Sequence, residues 1–291
     1  MRHIIGLLLL STLALSLRPE TAQARRITFI RDAEIEDTIR LFGIPLFAVA
    51  GLEPSAVRVH LVKDPAINAF VANGQRIFLN TGLLIASDNA NQVIGVMAHE
   101  TGHISGGHLA RTHEALRDAS ANSIMALVLG AAAMAAGQGQ AGSAIIAGGQ
   151  HVAQRSFLKY SRIQESSADQ AALDILKKTS QSARGMLAFF KKLGDQEALL
   201  TASQDPYIRT HPLTRNRIET IQAAVAATRS SKSPERPEFV ARHSRMKAKL
   251  IAFLWHPTDT FRKYPESDRS IAGRFARSIA FHKKRQTQKA L

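Results

Sequence analysis

The sequence predicts an α+β fold, mainly helical, with a small β-sheet beside two helices that carry the chemistry. Three observations predict it. Most apolar residues recur at helical spacing, while "VRVHLVKDPAINAFVANGQRIFLNTGLLIAS" (57–87) alternates in the manner of strands. Two further stretches pair polar residues four apart, His99 with His103 and Glu165 with Asp169. At that separation each pair projects from one helix face. A small sheet packed beside such helices is an α+β arrangement.

Taken in order, the chain opens with "MRHIIGLLLLSTLALSLRPETAQA", which reads as a secretory signal peptide over residues 1–24. Arg2 supplies the positive start, Ile4 to Leu17 the apolar core, and Ala22-Gln23-Ala24 the small-x-small cleavage site. Such a signal points to the bacterial periplasm. "RRITFIRDAEIEDTIRLFGIPLF" then predicts a short strand and an amphipathic helix over about 32–42. In the alternating stretch, Asn73-Gly74 is the turn dipeptide expected between two hairpin strands.

"VMAHETGHISGGHLART" (96–112) follows the apolar run "VIGVMA" (93–98), which suits a buried helix. Two imidazoles one turn apart can grip a zinc ion, and Glu100, one step round, can reach a metal-bound water. A catalytic zinc usually keeps three protein ligands. In the longer pattern His-Glu-x-x-His-x-x-Gly-x-x-His, Gly106 fits, but the third histidine position is Leu109 and His108 arrives one residue early. The alternative is a glutamate from a later helix. "YSRIQESSADQAALDIL" (160–176) offers Glu165 as that ligand and Asp169 as a hydrogen-bond partner for a ligand histidine. Gly106 and Gly107 are expected to end the first helix, and His108 and His113 read as surface residues or as neighbours of the ligands.

"NSIMALVLGAAAMAAGQGQAGSAIIAGG" (122–149) is apolar or small throughout its first half. It reads as a buried helical hairpin; a lid over a cleft, or contact with a membrane surface, is the sharper option. In "THPLTRNRIETIQAAVAA", Pro212 fits the first turn of a helix. "SSKSPERPEF" (230–239) reads as a linker. Beyond it, residues 231–291 hold fifteen Lys and Arg against five Asp and Glu, out of a net +15 for the chain. No nucleic-acid motif accompanies that charge, and no nucleic-acid partner is expected. The absence of cysteine rules out thiol chemistry and disulfide staples.

"AHETGHISGGHLAR", "YSRIQESSAD" and "THPLTRNRI", in this order, resemble the HtpX/BepA-type gluzincin metallopeptidases (peptidase family M forty-eight), especially the periplasmic BepA-like branch. "RDAEIEDTIR" and "INAFVANGQRIFLNTGLL" extend the similarity over roughly 27–229, so 25–229 is expected to be a zinc metallopeptidase domain. The resemblance implies one Zn2+ per chain held by His99, His103 and Glu165, with Glu100 as catalytic base. Zinc in such a site makes hydroxide available near neutral pH. Glu100 would take the proton and pass it to the leaving amine. His211 and Arg217, in the segment that returns to the cleft in that family, are the expected oxyanion donors; His211 could instead cover the open metal position. The strand at Asn68, Ala69 and Phe70 would lie along the cleft, where a substrate could add as a further strand, although a plain core hairpin fits equally well.

The expected substrates are unfolded or misassembled envelope proteins, with membrane-surface contact through 122–149 as the option beside a buried hairpin. A chaperone-like protein with a closed zinc site and a non-proteolytic adaptor using the basic tail are the alternatives. "FARSIAFHKKRQTQKAL" (275–291) resembles the first helix and the start of the second of a tetratricopeptide repeat, with Ala276, Ala280 and Ala290 in place. Arg285 or Gln286 stands where such repeats often carry glycine. Residues 240–291 are therefore expected to be a helical tail holding an incomplete repeat, a unit that cannot bury its apolar face without neighbours.

Overall fold

A computed structural model describes residues 27–72, 74–194, 206–228 and 233–291. The expected signal peptide and Asn73 lie outside the described residues. The chain begins with β1 (Phe29–Ile30) and α1 (Ala33–Val49), then β2 (Arg58–Val62), β3 (Ala69–Ala72) and β4 (Arg76–Asn80). α2 (Thr81–Ala86) and α3 (Ala90–Ser105) follow, then two long helices, α4 (His108–Ala135) and α5 (Gly139–Lys178). The remainder is helical: α6 (Arg184–Gly194), α7 (Pro206–Thr210), α8 (Arg215–Ala227), α9 (Pro237–Leu254), α10 (Pro257–Lys263), α11 (Ile271–Lys283) and α12 (Thr287–Ala290). The expected α+β class is what the chain adopts.

The sheet has the order β1-β2-β4-β3. β2 and β4 are parallel, and β3 pairs antiparallel with β4 as an edge strand. Gly74, at φ +85, takes the left-handed conformation that the turn between β3 and β4 requires. α1 starts where Asp32 accepts a hydrogen bond from the Ile35 amide at 3.1 Å, and it buries Ile35, Ile39, Phe42 and Leu46 at helical spacing.

α3 runs through the middle of the core. Val93, Ile94, Val96, Met97 and Ala98 are all fully buried, so this helix is apolar around its whole circumference until the histidines begin. A Cβ on Gly102 would meet the Ala168 carbonyl oxygen at 2.8 Å, so glycine lets α3 approach the backbone of α5 at the site. Gly107, at φ +62, breaks the chain between α3 and α4, as the Gly106-Gly107 pair led one to expect.

Three expectations need correction. The 122–149 segment is a helical hairpin of α4 and α5, but it is not buried. Its large side chains face outward while Ala126, Gly130, Gly142 and Ala153 form the seam between the two helices. The helix after "THPLTRNRI" starts at Arg215, not near Pro212, because the Thr214 hydroxyl accepts from the Arg217 amide and caps it. α9 starts at Pro237, inside the expected linker, where proline at the first helical position is favourable.

The tail packs against the body. Phe239, Met246 and Leu250 of α9 join the main core, and the Phe239 and Phe42 rings lie 5.0 Å apart. Lys249 reaches Asp32 at 2.8 Å and Glu34 at 2.9 Å. Between α11 and α12, Arg285 takes φ +58, the conformation that glycine holds at least cost. Phe239→Ala is therefore expected to destabilise the whole chain by about 3–5 kcal/mol, the range for an aromatic removed from a core. Denaturant unfolding followed by circular dichroism measures it; a loss confined to the α9–α12 signal would show a separate tail.

Candidate metal centre and active site

α3 presents His99, Glu100 and His103, α5 presents Glu165 and Asp169, and the turn after α7 brings in His211. Nitrogen or oxygen atoms of His99, His103, Glu165 and His211 all lie within 4.8 Å of one another. His99 Nε2 is 3.1 Å from His103 Nε2 and 3.4 Å from His211 Nδ1, while the Glu165 carboxylate lies 3.3 Å from His99, 3.4 Å from His103 and 3.1 Å from His211. Three imidazoles and a carboxylate whose lone pairs converge on one buried point make an electron-rich pocket that a divalent cation satisfies and hydrogen bonds alone satisfy poorly. The residues present fit a metal ion.

The buried charges of the cluster act strongly on one another. Burial works against charge on His99, but the Asp169 and Glu165 carboxylates overcome it and lift the imidazole to about 9. Burial, against the pull of Glu165, drops His103 to about 3, the direction that favours the neutral imidazole a metal needs. Burial also opposes charge on Glu165, yet the three imidazoles around it hold its carboxyl well below the usual range.

Asp169 and Arg217 support the ligands from behind. Asp169 Oδ1 is 3.0 Å from His99 Nδ1. Arg217 donates to both Asp169 oxygens, from Nε at 2.7 Å and from Nη2 at 2.8 Å. Its remaining nitrogen donates to the Pro212 carbonyl at 2.6 Å and lies 3.0 Å from Glu165. A two-pronged guanidinium–carboxylate pair of this kind fixes both groups in one geometry. Asp169→Ala is expected to weaken metal affinity about 10–100-fold, read by competition with a chromophoric chelator. An affinity equal to the parent's would leave Asp169 as no more than a partner for Arg217.

Glu100 is fully buried, and neither of its carboxylate oxygens has a hydrogen-bond partner among the described residues. His211 Nε2 lies 3.5 Å from Oε1. Burial pushes its carboxyl up from the ordinary value. Glu100 borders a cleft of about 630 Å³ that also contains His103, Glu165 and His211, with Asn68, Phe70 and Val71 along one wall. Ala69 is fully buried beside them. β3 is thus an edge strand at the rim of the cleft. In its antiparallel ladder the Ala69 and Val71 peptide groups fall at positions that turn away from β4.

Sequence reasoning missed Tyr207 and left His108 open between the surface and a place beside the ligands. His108 is buried, and its Nδ1 lies 2.9 Å from His103 Nδ1, so it backs a ligand instead of sitting at the surface. Tyr207 is fully buried with its ring 4.7 Å from that of His211, and its carbonyl accepts from the His211 amide at 2.7 Å. The only available signal was its position one helical turn before His211. His113 is exposed on α4.

A pair of histidines one turn apart, a glutamate from a second helix and an unpartnered buried glutamate beside them define the metallopeptidase class of site. The chain belongs to Peptidase family M48, whose family model matches residues 32–225. It is 29% identical over 189 residues to the beta-barrel assembly-enhancing protease of Escherichia coli strain K12, covering 65% of this chain and 38% of that protein. It is 26% identical over 177 residues to the mitochondrial metalloendopeptidase OMA1 of Schizosaccharomyces pombe, covering 61% and 49%. It is also 29% identical over 175 residues to the metalloprotease YcaL of Escherichia coli, covering 60% and 63%. The match thus spans well under half the length of the beta-barrel assembly-enhancing protease.

Proposed function

We propose that the chain is a zinc-dependent endopeptidase of the bacterial periplasm that hydrolyses unfolded or misassembled envelope proteins. The observation that carries the reading is Glu100, a buried carboxylate with no partner of its own beside a four-residue metal-binding cluster, at the edge of a cleft. The name of the Escherichia coli relative supports an envelope role, and the expected signal peptide supports export.

His99, His103 and Glu165 would hold the metal, and zinc would supply an acidified water and an electrophile for the scissile carbonyl. Glu100 would accept the proton of the attacking water and return it to the leaving amine, and the burial that raises its carboxyl above the ordinary value makes it a stronger base for that transfer. Asp169 and Arg217 act as positioning residues: the guanidinium that the sequence offers as an oxyanion donor is spent on Asp169, Glu165 and Pro212. A substrate strand would pair with the outward peptide groups of Ala69 and Val71, between Asn68 and the Phe70 side, which sets an extended backbone across the site. Turnover of a denatured envelope protein that needs zinc and stops with chelator tests the reading; zinc-independent turnover, or none, contradicts it.

A second reading rests on His211, which is buried in the cluster within hydrogen-bond distance of Glu165. There it can close the fourth corner of the site and leave a chaperone-like protein with little activity. His211→Ala is expected to raise the hydrolysis rate about tenfold, if the corner is closed nine times in ten. A fall of about 100-fold would instead give His211 the oxyanion role.

A further inference from the structure

We propose that the hairpin of α4 and α5 inserts into a lipid bilayer, with the basic residues at its root seated among anionic headgroups. This inference does not rest on the peptidase reading. Residues 119–154 contain no Asp, Glu, Lys or Arg. Among the described residues, α4 is the one helix long and apolar enough to cross a membrane, and only 11% of its apolar window is buried. A core helix of a water-soluble protein would instead be mostly buried.

The hairpin is packed inside out. Ile124, Met125, Leu127, Val128 and Leu129 are 53–61% exposed, while Ala126 and Gly130 turn towards α5. At 3.6 residues per turn these five side chains sweep roughly 200° of the circumference. A single docked partner helix covers a narrower stripe than that, whereas lipid surrounds the hairpin. Val152 and Ile145, one face of α5, are exposed as well.

The seam is built from the smallest residues. A Cβ on Gly130 would come within 2.6 Å of the Gly142 carbonyl oxygen, and one on Gly149 within 2.1 Å of Ala126 Cβ. Close backbone approach over small residues is how helices associate where no hydrophobic effect drives them together.

Length and charge select the occupant. From Ala119 to Ala135 α4 rises about 24 Å at ~1.5 Å per residue, deep into but somewhat short of the ~30 Å of a hydrocarbon core. Gln138 and Gln140 stand at the tip. At the root, α4 carries Arg111 and Arg117 and α5 carries Arg155, Lys159 and Arg162, all exposed, against Glu114 and Asp118. A cationic collar around an uncharged shaft, apolar on α4 and carrying exposed Ser143, Gln150, His151 and Gln154 on α5, matches the charge order of an anionic membrane surface over its interior.

The test uses the full chain with vesicles of phosphatidylethanolamine and phosphatidylglycerol, and with phosphatidylcholine vesicles for comparison. The parent chain is expected to float with the anionic vesicles and to bind phosphatidylcholine more weakly. Leu127→Asp/Val128→Asp changes two exposed positions, so the fold, checked by circular dichroism, should persist while partitioning falls at least about 100-fold. In a Trp255→Phe background, which removes the chain's single tryptophan, Leu127→Trp should be quenched by bromine placed on the acyl chains. A parent that stays free of vesicles, a bound chain whose introduced indole is not quenched, or a solution dimer that the double substitution dissociates without any vesicle binding would each overturn the proposal. The last would assign the surface to a second copy of the chain.

Discussion

Glu100→Gln should leave the metal content of the folded chain unchanged and lower peptide hydrolysis by roughly 10²- to 10⁴-fold, the usual contribution of a positioned proton-transfer group. The side chains are nearly the same size, so a fully buried position keeps its packing. Neither Glu100 oxygen belongs to the four-residue cluster, so metal binding is not touched. What the amide lacks is a lone pair basic enough to take a proton from water. Elemental analysis beside an initial-rate assay measures both quantities. Loss of metal in this variant would move Glu100 from proton transfer to ligation.

Glu165→Ala should have the larger structural effect. It removes a ligand and at the same time the carboxylate that faces His99, His103, His211 and Arg217. An uncompensated charge left in such a place costs about 3–5 kcal/mol, and the binding free energy of the metal is lost as well. The parent should lose thermal stability when a chelator is added; the variant should melt lower and show no response to chelator. His99→Ala should behave alike, because His99 is fully buried between Glu165 and Asp169. A variant that still responds to chelator would place the metal elsewhere.

The parts of this site that sequence made legible are those governed by helical spacing. His99 with His103, and Glu165 with Asp169, each share a face because each pair sits inside one unbroken helix. His108 was only half legible, left between the surface and a place beside the ligands, for the same reason in reverse. Counting along a helix put it one residue out of register, but Gly107 breaks that helix, and the count no longer applies. His211 stands 46 residues after Glu165 on a turn between α7 and α8, where no periodicity reaches it. Arg217 looked available as a donor because its partners, Asp169 and the Pro212 carbonyl, meet it only in three dimensions. The hairpin was read correctly as helical and incorrectly as buried. An apolar helix has the same composition whether it faces a core or faces outward, and only the position of Gly130 and Gly142 against each other tells which side is in. The class of fold was the easiest part, since β2 alternates polar and apolar residues and the turn between β3 and β4 carries a glycine at positive φ.

We propose above all that His99, His103 and Glu165 hold one catalytic zinc ion, within the cluster they form with His211 that could hold a metal. The direct test is the metal content of the full chain purified without added metal, set beside that of the Glu165→Ala variant. The account predicts about one zinc per parent chain, the number a single site with one open position holds, and a variant that is folded but empty. A folded parent that binds no zinc even when zinc is supplied, or a Glu165→Ala chain that keeps its zinc, would contradict it.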